Sequence, residues 1–453
     1  MAENDNSGSA PASKGQRFMK LASMTASVAT NYASSRLKNA FQSAEVAAKE
    51  RLQAHQINGE RIAQTLGELK GAAMKIGQMA SIGSDVLPKE LSDALVKLQK
   101  EAPPVSFDVI VKQIETELGA HPNMLFDHFE REPFASASIG QVHRARTDDG
   151  REVVVKIQYP GVDSSVDSDL THLKLALRAS GLLNAAHRKA LNKVFEEVRA
   201  RLHEELDYTN EAENVRRFRK HHKRHPFVVV PDVVGERSSK RVLTLTYEQG
   251  DSIAKFDELN YSQETRNIIG QRLWEAVMSQ IFEMRAVQAD PNPANFGFRP
   301  DGTVVLYDFG CVKDVSVDTL RSYRNLVVAA LNDDYVVAEK FLTELGARNT
   351  DKPWPGAEYY KLWRDIFLDP VIAEQPYDFA ASKIHERIMR EVKDFLLHHA
   401  DAFQPPVELV FIDRAIAGTF GNVRKIGSVC DLRYLIDQNV RAIPEGLVGH
   451  VDK

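Results

Sequence analysis

The sequence has few cysteines, no long apolar run and no excess of positive charge. Its two cysteines, Cys311 and Cys430, cannot form a disulfide framework, so we expect a reducing compartment such as the cytoplasm. No stretch reaches about 18 consecutive apolar residues, so no transmembrane helix is predicted. Lysine and arginine number 58 against 63 aspartates and glutamates, and this net charge of -5 argues against nucleic acid as a partner. The first 16 residues lack the apolar core of a signal peptide and predict a disordered tail.

Glycine is scarce in a segment that otherwise has the composition of a phosphate-binding loop. The segment FASASIGQVHRA, from Phe134 to Ala145, alternates alanine and serine and contains one glycine, Gly140. Backbone amides approach a phosphate most closely at glycine, because glycine has no Cβ. The segment is therefore either a phosphate-binding hairpin built from other small residues or an ordinary surface turn.

A hairpin with a lysine in its apolar strand follows this segment. The strands are predicted over Gln141–Arg146 and Arg151–Tyr159, joined by a turn that ends in an Asp-Gly pair. Lys156 comes directly after three valines in the second strand. A lysine in such a strand is uncommon unless it has a partner or a function. The alternative is a surface lysine whose aliphatic stem packs along the strand.

The rest of the chain is predicted to be mainly helical, with two further strands. Pro103-Pro104 marks a boundary. The predicted segments are a helix over Phe107–Leu118, a long helical region from Ser164 to about Phe218, strands over Phe227–Val234 and Arg241–Thr246, and mainly helices from Ser262 onward. The long helical region includes the acidic run HEELDYTNEAEN, for which a solvated face is the usual explanation.

Two helices are predicted before this region. The first, Phe18 to about Leu52, is weakly amphipathic and is either a packing helix or a membrane-surface helix. The second, Glu60 to about Ser81, has an apolar face and a separate face that carries Gln64, Gly67, Gly71, Lys75 and Gln78. Each glycine inside a helix costs about 1 kcal/mol relative to alanine. These glycines indicate close approach of another part of the chain, and an incidental solvated face is the alternative.

The strongest pattern is QADPNPANFGFRPDGTVVLYDFG, from Gln288 to Gly310. A hairpin around its Pro-Asp-Gly turn brings Asp290, Asn295 and Asp308 to the ends of two strands. Two carboxylates and an amide oxygen make a site suited to Mg²⁺. Phosphoryl transfer uses this arrangement, with one aspartate near the nucleophile and an asparagine and a D-F-G aspartate on the metal.

Several separate motifs together resemble those of the UbiB/AarF-type, or ABC1-like, atypical kinases. This protein-kinase-like family is linked to ubiquinone and other isoprenoid-lipid metabolism. The similarity extends from about Ile62 to about Gly427. It rests on KIGQ, ASASIGQVH, VVVKIQ, ELDYTNEAEN, ADPNPAN and DFG. The sequence departs from the family at Gln288, Asn292 and Ala294, where the family has histidine, histidine and glycine.

The resemblance implies a role for each candidate site residue. Asp290 is the catalytic base or nucleophile-positioning group, and Lys156 with Glu211 positions ATP. Asn295 and Asp308 bind Mg²⁺. The implied nucleotide contacts are Ala135, Ser136, Ala137, Ser138, Lys156, Thr246 and Glu248. The implied contacts of a lid helix over the active site are Lys75, Gln78, Glu205 and Asp207. Glu205 and Asp207 point about 200° apart on an ideal helix, so they can serve one site only if the helix bends or ends there.

The implied fold is α+β: a bilobal protein-kinase-like fold with an N-terminal helical extension packed over the active site. The expected ranges are a tail over 1–17, the extension over 18–102, an N-lobe with a helical insertion over 103–248 and a mainly helical C-lobe over 249–453.

The implied function is that of an ATP- and Mg²⁺-dependent atypical kinase or ATPase that supports isoprenoid quinone biosynthesis. In this interpretation the lid blocks access of protein substrates. The expected partners are an adenine nucleotide, an isoprenoid lipid or a membrane surface to which the protein attaches peripherally, and lipid-biosynthesis enzymes. The alternative is a nucleotide-binding regulatory pseudokinase, or a lipid-binding assembly factor with little catalysis.

Overall fold

The computed structural model describes residues 105–137, 139–179, 195–196, 199–200, 202–399, 401–404 and 406–441. One compact unit comprises residues up to Glu213 together with Asp232–Tyr247. The other comprises Asn214–Pro231 and the residues from Glu248 onward. The expected tail and helical extension, 1–102, lie outside the described residues, and the domain boundaries drawn from the sequence stay predictions.

The described residues form helices and short strands. The strands are β1 His128–Phe129, β2 Ala135–Ser136, β3 Gly140–Arg146, β4 Glu152–Gln158, β5 Val228–Val229, β6 Val242–Thr246, β7 Ala286–Gln288, β8 Phe296–Phe298, β9 Val304–Leu306, β10 Val312–Asp314, β11 Tyr377–Asp378 and β12 Val429–Cys430. The helices are α1 Phe107–Leu118, α2 Pro122–Leu125, α3 Val162–Ala179, α4 Tyr208–His222, α5 Gln263–Ser279, α6 Val317–Leu331, α7 Tyr335–Glu344, α8 Ala357–Phe367, α9 Asp369–Ile372, α10 Ile384–His398, α11 Val407–Ile426 and α12 Arg433–Ile436.

An antiparallel sheet of five strands forms the centre of the first unit. Its order is β1-β3-β4-β6, with β2 also paired to β3. Side chains alternate between the two faces of a strand, so Val153, Val155 and Ile157 of β4 share one face, and all three are buried. Ile110 and Ile114 of α1 join them in the core. The same alternation places Lys156 on the opposite face of β4.

The first unit confirms the sequence predictions for α1, for the β3–β4 hairpin and for the strand β6, within a residue of the expected ends. The helical region expected from Ser164 to about Phe218 is interrupted at Leu206 and Asp207, where the chain leaves the helical conformation. Oδ1 of Asp207 accepts a hydrogen bond from the backbone N–H of Thr209, 3.0 Å away. A short acidic side chain that bonds the backbone in this way starts a new helix.

The strand expected over Phe227–Val234 is wrong for most of its length. Only β5 forms there, in parallel with β9, and Val233 makes a single bridge to Leu245. Pro231 lies between them and has no backbone N–H to donate to a strand ladder.

Helix α5 has a buried face in the second unit and precedes the segment from Gln288 to Gly310. Ser262 caps its N-terminus by accepting a hydrogen bond from the N–H of Thr265. Its residues Ile269, Leu273 and Trp274 are buried. Strand β7 follows and pairs antiparallel with β10, and β8 and β9 form the predicted hairpin. These strands fix the ends of the segment that contains Asp290, Asn295 and Asp308.

Among the described helices, none is both long enough and apolar enough to cross a membrane.

Candidate active site

The segment rich in small residues is a tight hairpin joined to the sheet of the first unit. Ala135 pairs with Val142, and Ser136 pairs with Gln141. The N–H of Ala137 donates to the carbonyl of Gly140 across 2.9 Å. Ala135, Ser136 and Ala137 are at least partly exposed, so their backbone is accessible at the turn. Ser138, the remaining predicted loop contact, lies outside the described residues.

Gly140 is required by strand pairing within the sheet. A Cβ at this position would lie 2.1 Å from the carbonyl oxygen of Ile157 on β4. No side chain fits at that distance, because β3 and β4 approach each other directly here. The glycine of the loop therefore serves the hairpin, and any phosphate contact falls to the residues before it.

A cation–π contact holds the start of the loop, and the sequence analysis did not find it. The guanidinium of Arg144 lies 4.3 Å from the ring centre of Phe134 and 4.5 Å from that of Tyr247. The same group donates a hydrogen bond to the hydroxyl of Tyr247, 2.9 Å away. A guanidinium over aromatic rings is stabilised by their negative faces. The first residue of the loop is thus tied to the end of β6.

Lys156 and Glu211 form a two-pronged contact in the first unit. The Nζ of Lys156 lies 2.9 Å from both carboxylate oxygens of Glu211. The two side chains are 18% and 5% exposed, so water screens the pair weakly. The ring of Tyr208 lies 5.1 Å from Nζ. Burial with a partner, rather than the surface placement considered as the alternative, explains the lysine in the apolar strand.

The interruption before α4 places Glu211 in the first turn of that helix. The backbone N–H of Tyr208 donates to the carbonyl of Lys240 across 2.9 Å. The side-chain amide of Gln158, at the end of β4, donates to the carbonyl of Glu205 across 3.2 Å. A carboxylate in the first turn also interacts favourably with the helix dipole.

Glu205 is the last residue of the preceding helix, and Asp207 lies in the interruption. The helix therefore ends between the two residues, which is the condition set by their opposite directions on a helix. The carboxylate of Asp207 caps α4 and lies 3.7 Å from the Nζ of Lys240. Lys75 and Gln78 lie outside the described residues. The lid contact therefore stays a prediction.

The second unit brings Asp290 and Asn295 into direct contact. The side-chain amide of Asn295 donates to the carboxylate and to the carbonyl of Asp290, each at 3.1 Å. The N–H of Tyr307, the residue before Asp308, donates to the carbonyl of Asn295 at 3.0 Å. With its NH₂ group directed to Asp290, Asn295 keeps Oδ1 as the atom that can bind a cation.

The residues of this segment fit Mg²⁺. Asp308 offers carboxylate oxygens, one of which accepts a hydrogen bond from the N–H of Gly310 at 3.0 Å. Carboxylate and amide oxygens are the hard ligands that Mg²⁺ prefers. Asn295 and Asp308 are therefore the residues that would hold the ion.

Side-chain amides that sequence analysis did not single out hold the backbone of this segment. The amide of Asn214 donates to the carbonyl of Phe309 at 3.0 Å, and that of Asn422 donates to the carbonyl of Pro291 at 3.1 Å. A Cβ at Gly418 would lie 2.0 Å from the Cβ of Pro291, so α11 and the loop are in direct contact. Asn214 ends the acidic run NEAEN and Asn422 stands between Gly421 and Val423, and neither pattern indicates these contacts.

Gln288, at the position where the related family has histidine, supports the backbone of Asp308. It is buried at the end of β7, and its side-chain amide donates to the backbone carbonyl of Asp308. Asn292, the second departure, accepts a hydrogen bond from the N–H of Ala294 at 3.1 Å and so caps the turn. Both substitutions thus provide hydrogen bonds that hold the loop.

Thr246 and Glu248 are engaged in contacts within their own units. The hydroxyl of Thr246 accepts from the N–H of Asp232 at 2.8 Å. The carboxylate of Glu248 pairs with Arg299 at 2.9 Å, and its carbonyl accepts from the hydroxyl of Tyr307 at 3.1 Å. Their assignment as nucleotide contacts stays a prediction.

We expect the contact between Lys156 and Glu211 to couple the two residues energetically. Lys156→Met and Glu211→Gln should each lower the free energy of unfolding by about 1–3 kcal/mol, because each leaves a buried group without its partner. The double variant should lose much less than the sum. Urea unfolding measures all three. The exposed pair Arg146–Asp127 is the matched control, for which we expect an interaction energy of about 0–1 kcal/mol. If the effects at Lys156 and Glu211 add as fully as those at the control pair, the coupling is refuted.

We expect Gln288 to act through its hydrogen bond to Asp308. Gln288→Leu should lower the free energy of unfolding by about 1–3 kcal/mol, because it removes the hydrogen bond from the buried Gln288 to the partly buried carbonyl of Asp308. Gln288→His retains a donor and should recover most of this loss. Thermal and urea unfolding of both variants provide the comparison. Equal destabilisation by leucine and histidine would show that side-chain shape, rather than the hydrogen bond, matters here.

Comparisons with known proteins show which family this chain resembles. A family model described as the ABC1 atypical kinase-like domain matches residues 97–341. The chain is 31% identical over 433 residues to "Atypical kinase COQ8, mitochondrial" of Saccharomyces cerevisiae, covering 93% of this chain and 84% of the relative. It is 34% identical over 372 residues to "Atypical kinase COQ8B, mitochondrial" of Rattus norvegicus, covering 80% and 68%.

The chain is also similar to a protein named chloroplastic and to a solved structure. "Protein ACTIVITY OF BC1 COMPLEX KINASE 7, chloroplastic" of Arabidopsis thaliana is 32% identical over 359 residues, and the match covers 79% of this chain and 50% of the relative. The structure of Rv3197 from Mycobacterium tuberculosis in complex with erythromycin has a TM-score of 0.61 at 26% identity, covering 88% of this chain and 98% of that one. The expected α+β, kinase-like fold is confirmed, and the chain belongs to the ABC1 atypical kinase-like family.

Proposed function

We propose that this protein binds ATP with Mg²⁺ and acts as a phosphotransferase or ATPase of the atypical kinase type. The contact of Lys156 with both oxygens of Glu211 carries this proposal. The two 2.9 Å contacts with a buried carboxylate hold the Lys156 Nζ in a fixed position. A positioned lysine suits the binding of the phosphates of a nucleotide.

The residues of the second unit supply the complementary chemistry. Asn295 and Asp308 would hold Mg²⁺, which when bound neutralises charge on the phosphates. Asp290 is held by the amide of Asn295 and is the candidate to orient or deprotonate the attacking group. The exposed backbone of Ala135, Ser136 and Ala137 is the candidate cover for the phosphates, with Ser138 as its continuation.

The names of the relatives and the motif resemblance support a role in isoprenoid quinone biosynthesis. The yeast, nematode and rat relatives are named COQ8-type atypical kinases, and all three are named mitochondrial. The candidate membrane contact of this chain is the helix predicted over Phe18–Leu52. We propose peripheral attachment through it, with an isoprenoid lipid and lipid-biosynthesis enzymes as partners.

The helix predicted over Glu60–Ser81 is proposed as a lid that excludes protein substrates. Its glycines would permit close docking, and the acidic residues at the interruption before α4 offer Lys75 a partner of opposite charge. A partly shielded ion pair holds a segment more firmly than an exposed pair, which is worth about 0–1 kcal/mol. Basal ATP turnover is then slow, and generic proteins are not phosphorylated.

The metal role of Asp308 predicts a specific loss of nucleotide chemistry. Asp308→Asn should lower ATP turnover by about 10²-fold or more, because a group that stabilises developing charge is removed. Calorimetry should also show that Mg²⁺ no longer strengthens nucleotide binding. Asp314→Asn, at an exposed aspartate on β10, is the matched control and should behave like the unmodified protein.

Two results would redirect this proposal. Equal nucleotide affinity of the unmodified protein in Mg²⁺ and in excess chelator would remove the metal role. Nucleotide binding without turnover, in the presence and absence of anionic liposomes, would favour the non-catalytic alternative.

The lid predicts that Lys75 restrains activity. Lys75→Ala should raise autophosphorylation or change ATP hydrolysis while the thermal unfolding midpoint stays unchanged, because only the docking contact is lost. Lys70→Ala, on another predicted face of the same helix, is the matched control. Robust phosphorylation of generic proteins by the unmodified chain would contradict the lid, and so would unchanged kinetics of Lys75→Ala.

A further inference from the structure

Three histidines converge where α4 ends in the second unit. His221 and His222 are the last two residues of α4, and His225 lies in the turn that leads to β5. One ring nitrogen of each residue lies within 4.8 Å of the others. The shortest of these approaches is 3.3 Å, between Nδ1 of His222 and Nδ1 of His225. Three imidazoles, none of which the proposed kinase chemistry uses, thus face one small volume.

The cluster is shielded from water, since His222 is buried and His221 and His225 are half-buried. Nδ1 of His222 and Nδ1 of His225 share one hydrogen bond at 3.3 Å, so one of these nitrogens carries a proton. A metal ion binds the lone pair of a neutral imidazole, and both Nδ1 atoms can bind it once that proton has moved to Nε2 of its own ring.

The spacing matches a tetrahedral centre. With metal–nitrogen bonds of about 2.0–2.1 Å, two ligand nitrogens of a tetrahedral zinc site are about 3.3 Å apart. The two Nδ1 atoms of His222 and His225 already have that separation. The ring of His221 is centred 4.9 Å from that of His222 and 5.7 Å from that of His225. It can therefore supply a third nitrogen from the side.

Polar side chains at the end of α5 and just after it can orient His221 and His222 through their Nε2 atoms. The side-chain amide of Gln280 lies 3.2 Å from Nε2 of His222, and Oγ of Ser279 lies 2.7 Å from Nε2 of His221. Rotation of the Gln280 amide would present its oxygen to the N–H of a metal-bound His222. Metal-binding histidines usually donate their second N–H to such a partner.

Arg224 is the charge that a metal must displace at this cluster. Its guanidinium lies 3.2 Å from Nδ1 of His221, and it also pairs with Glu283. Binding through that nitrogen requires Arg224 to leave His221 and to remain on Glu283. His222 and His225 face each other without such a competitor in the contacts described, so they are expected to contribute most of the affinity.

We propose that His221, His222 and His225 bind one transition-metal ion of the class that prefers imidazole, such as Zn²⁺, Co²⁺, Ni²⁺ or Cu²⁺. This class differs from the Mg²⁺ proposed at Asn295 and Asp308, because nitrogen ligands suit transition metals and oxygen ligands suit Mg²⁺. The position of the site favours a structural role, because it adjoins the aromatic packing around the D-F-G sequence. The ring of His222 lies 6.3 Å from that of Phe218, which packs at 5.1 Å on Phe309 of the D-F-G sequence.

Titration of the full, tag-free chain with Co²⁺ in excess Mg²⁺ tests the proposal. Imidazole-bound tetrahedral Co²⁺ absorbs strongly in the visible range, whereas hydrated Co²⁺ absorbs weakly. We expect one ion per chain, loss of the signal in His222→Asn and His225→Asn, and affinity about 10–100-fold weaker in Gln280→Leu. His398→Asn, at an exposed histidine on α10, is the matched control and should bind normally. Asp308→Asn should also retain the signal.

Two measurements guard against variants that fail to fold. His225 is only half-buried in a turn, so His225→Asn is expected to keep the circular dichroism of the unmodified protein. X-ray absorption of the Zn²⁺-loaded unmodified protein should show nitrogen ligands at about 2.0 Å. The proposal is overturned if the Zn²⁺ ion has only oxygen ligands, or if no Co²⁺ binds in excess Mg²⁺. It is also overturned if His398→Asn loses the Co²⁺ signal as fully as the cluster variants do. The same holds if Asp308→Asn loses the signal while His225→Asn retains it.

Discussion

Lys156 lies in an apolar strand, and the carboxylate of Glu211 lies 2.9 Å from its Nζ. An isolated ammonium in such an environment would be expensive or would lose its proton. The pair links two residues that are 55 positions apart. Helix α4 begins at Tyr208, and Asp207 caps that beginning. The interruption before α4 thus places Glu211 in the first turn of the helix.

A set of neutral amide donors holds the backbone of the segment from Gln288 to Gly310. Four side-chain amides each donate to a different backbone carbonyl of this segment: Gln288 to Asp308, Asn295 to Asp290, Asn422 to Pro291 and Asn214 to Phe309. None of these donors ionises, so the support does not change as pH changes. Preorganised groups of this kind need little rearrangement during reaction.

Two kinds of candidate metal ligand lie in different parts of the second unit. Oxygen donors lie on the loop and hairpin that follow β7, and imidazole nitrogens lie at the end of α4. The buried rings of Phe218 and Phe309 lie between the two along a line of aromatic contacts. An ion that orders the end of α4 would accordingly stabilise the packing on which the D-F-G sequence rests.

Local patterns alone determined much of this protein. The helix Phe107–Leu118, the hairpin with Lys156 and the second hairpin follow from apolar spacing and turn residues, because these act over a few positions. The motifs also determined the family and a pairing of Lys156 with Glu211. Tertiary structure alone decided which polar side chains support the site. The partners of Asn214 and Asn422 are 95 and 131 positions distant, and the three histidines face one another only because α4 ends at His222. Hydrogen bonds and metal ligands depend on distances in space, which a linear sequence does not fix until the core has packed.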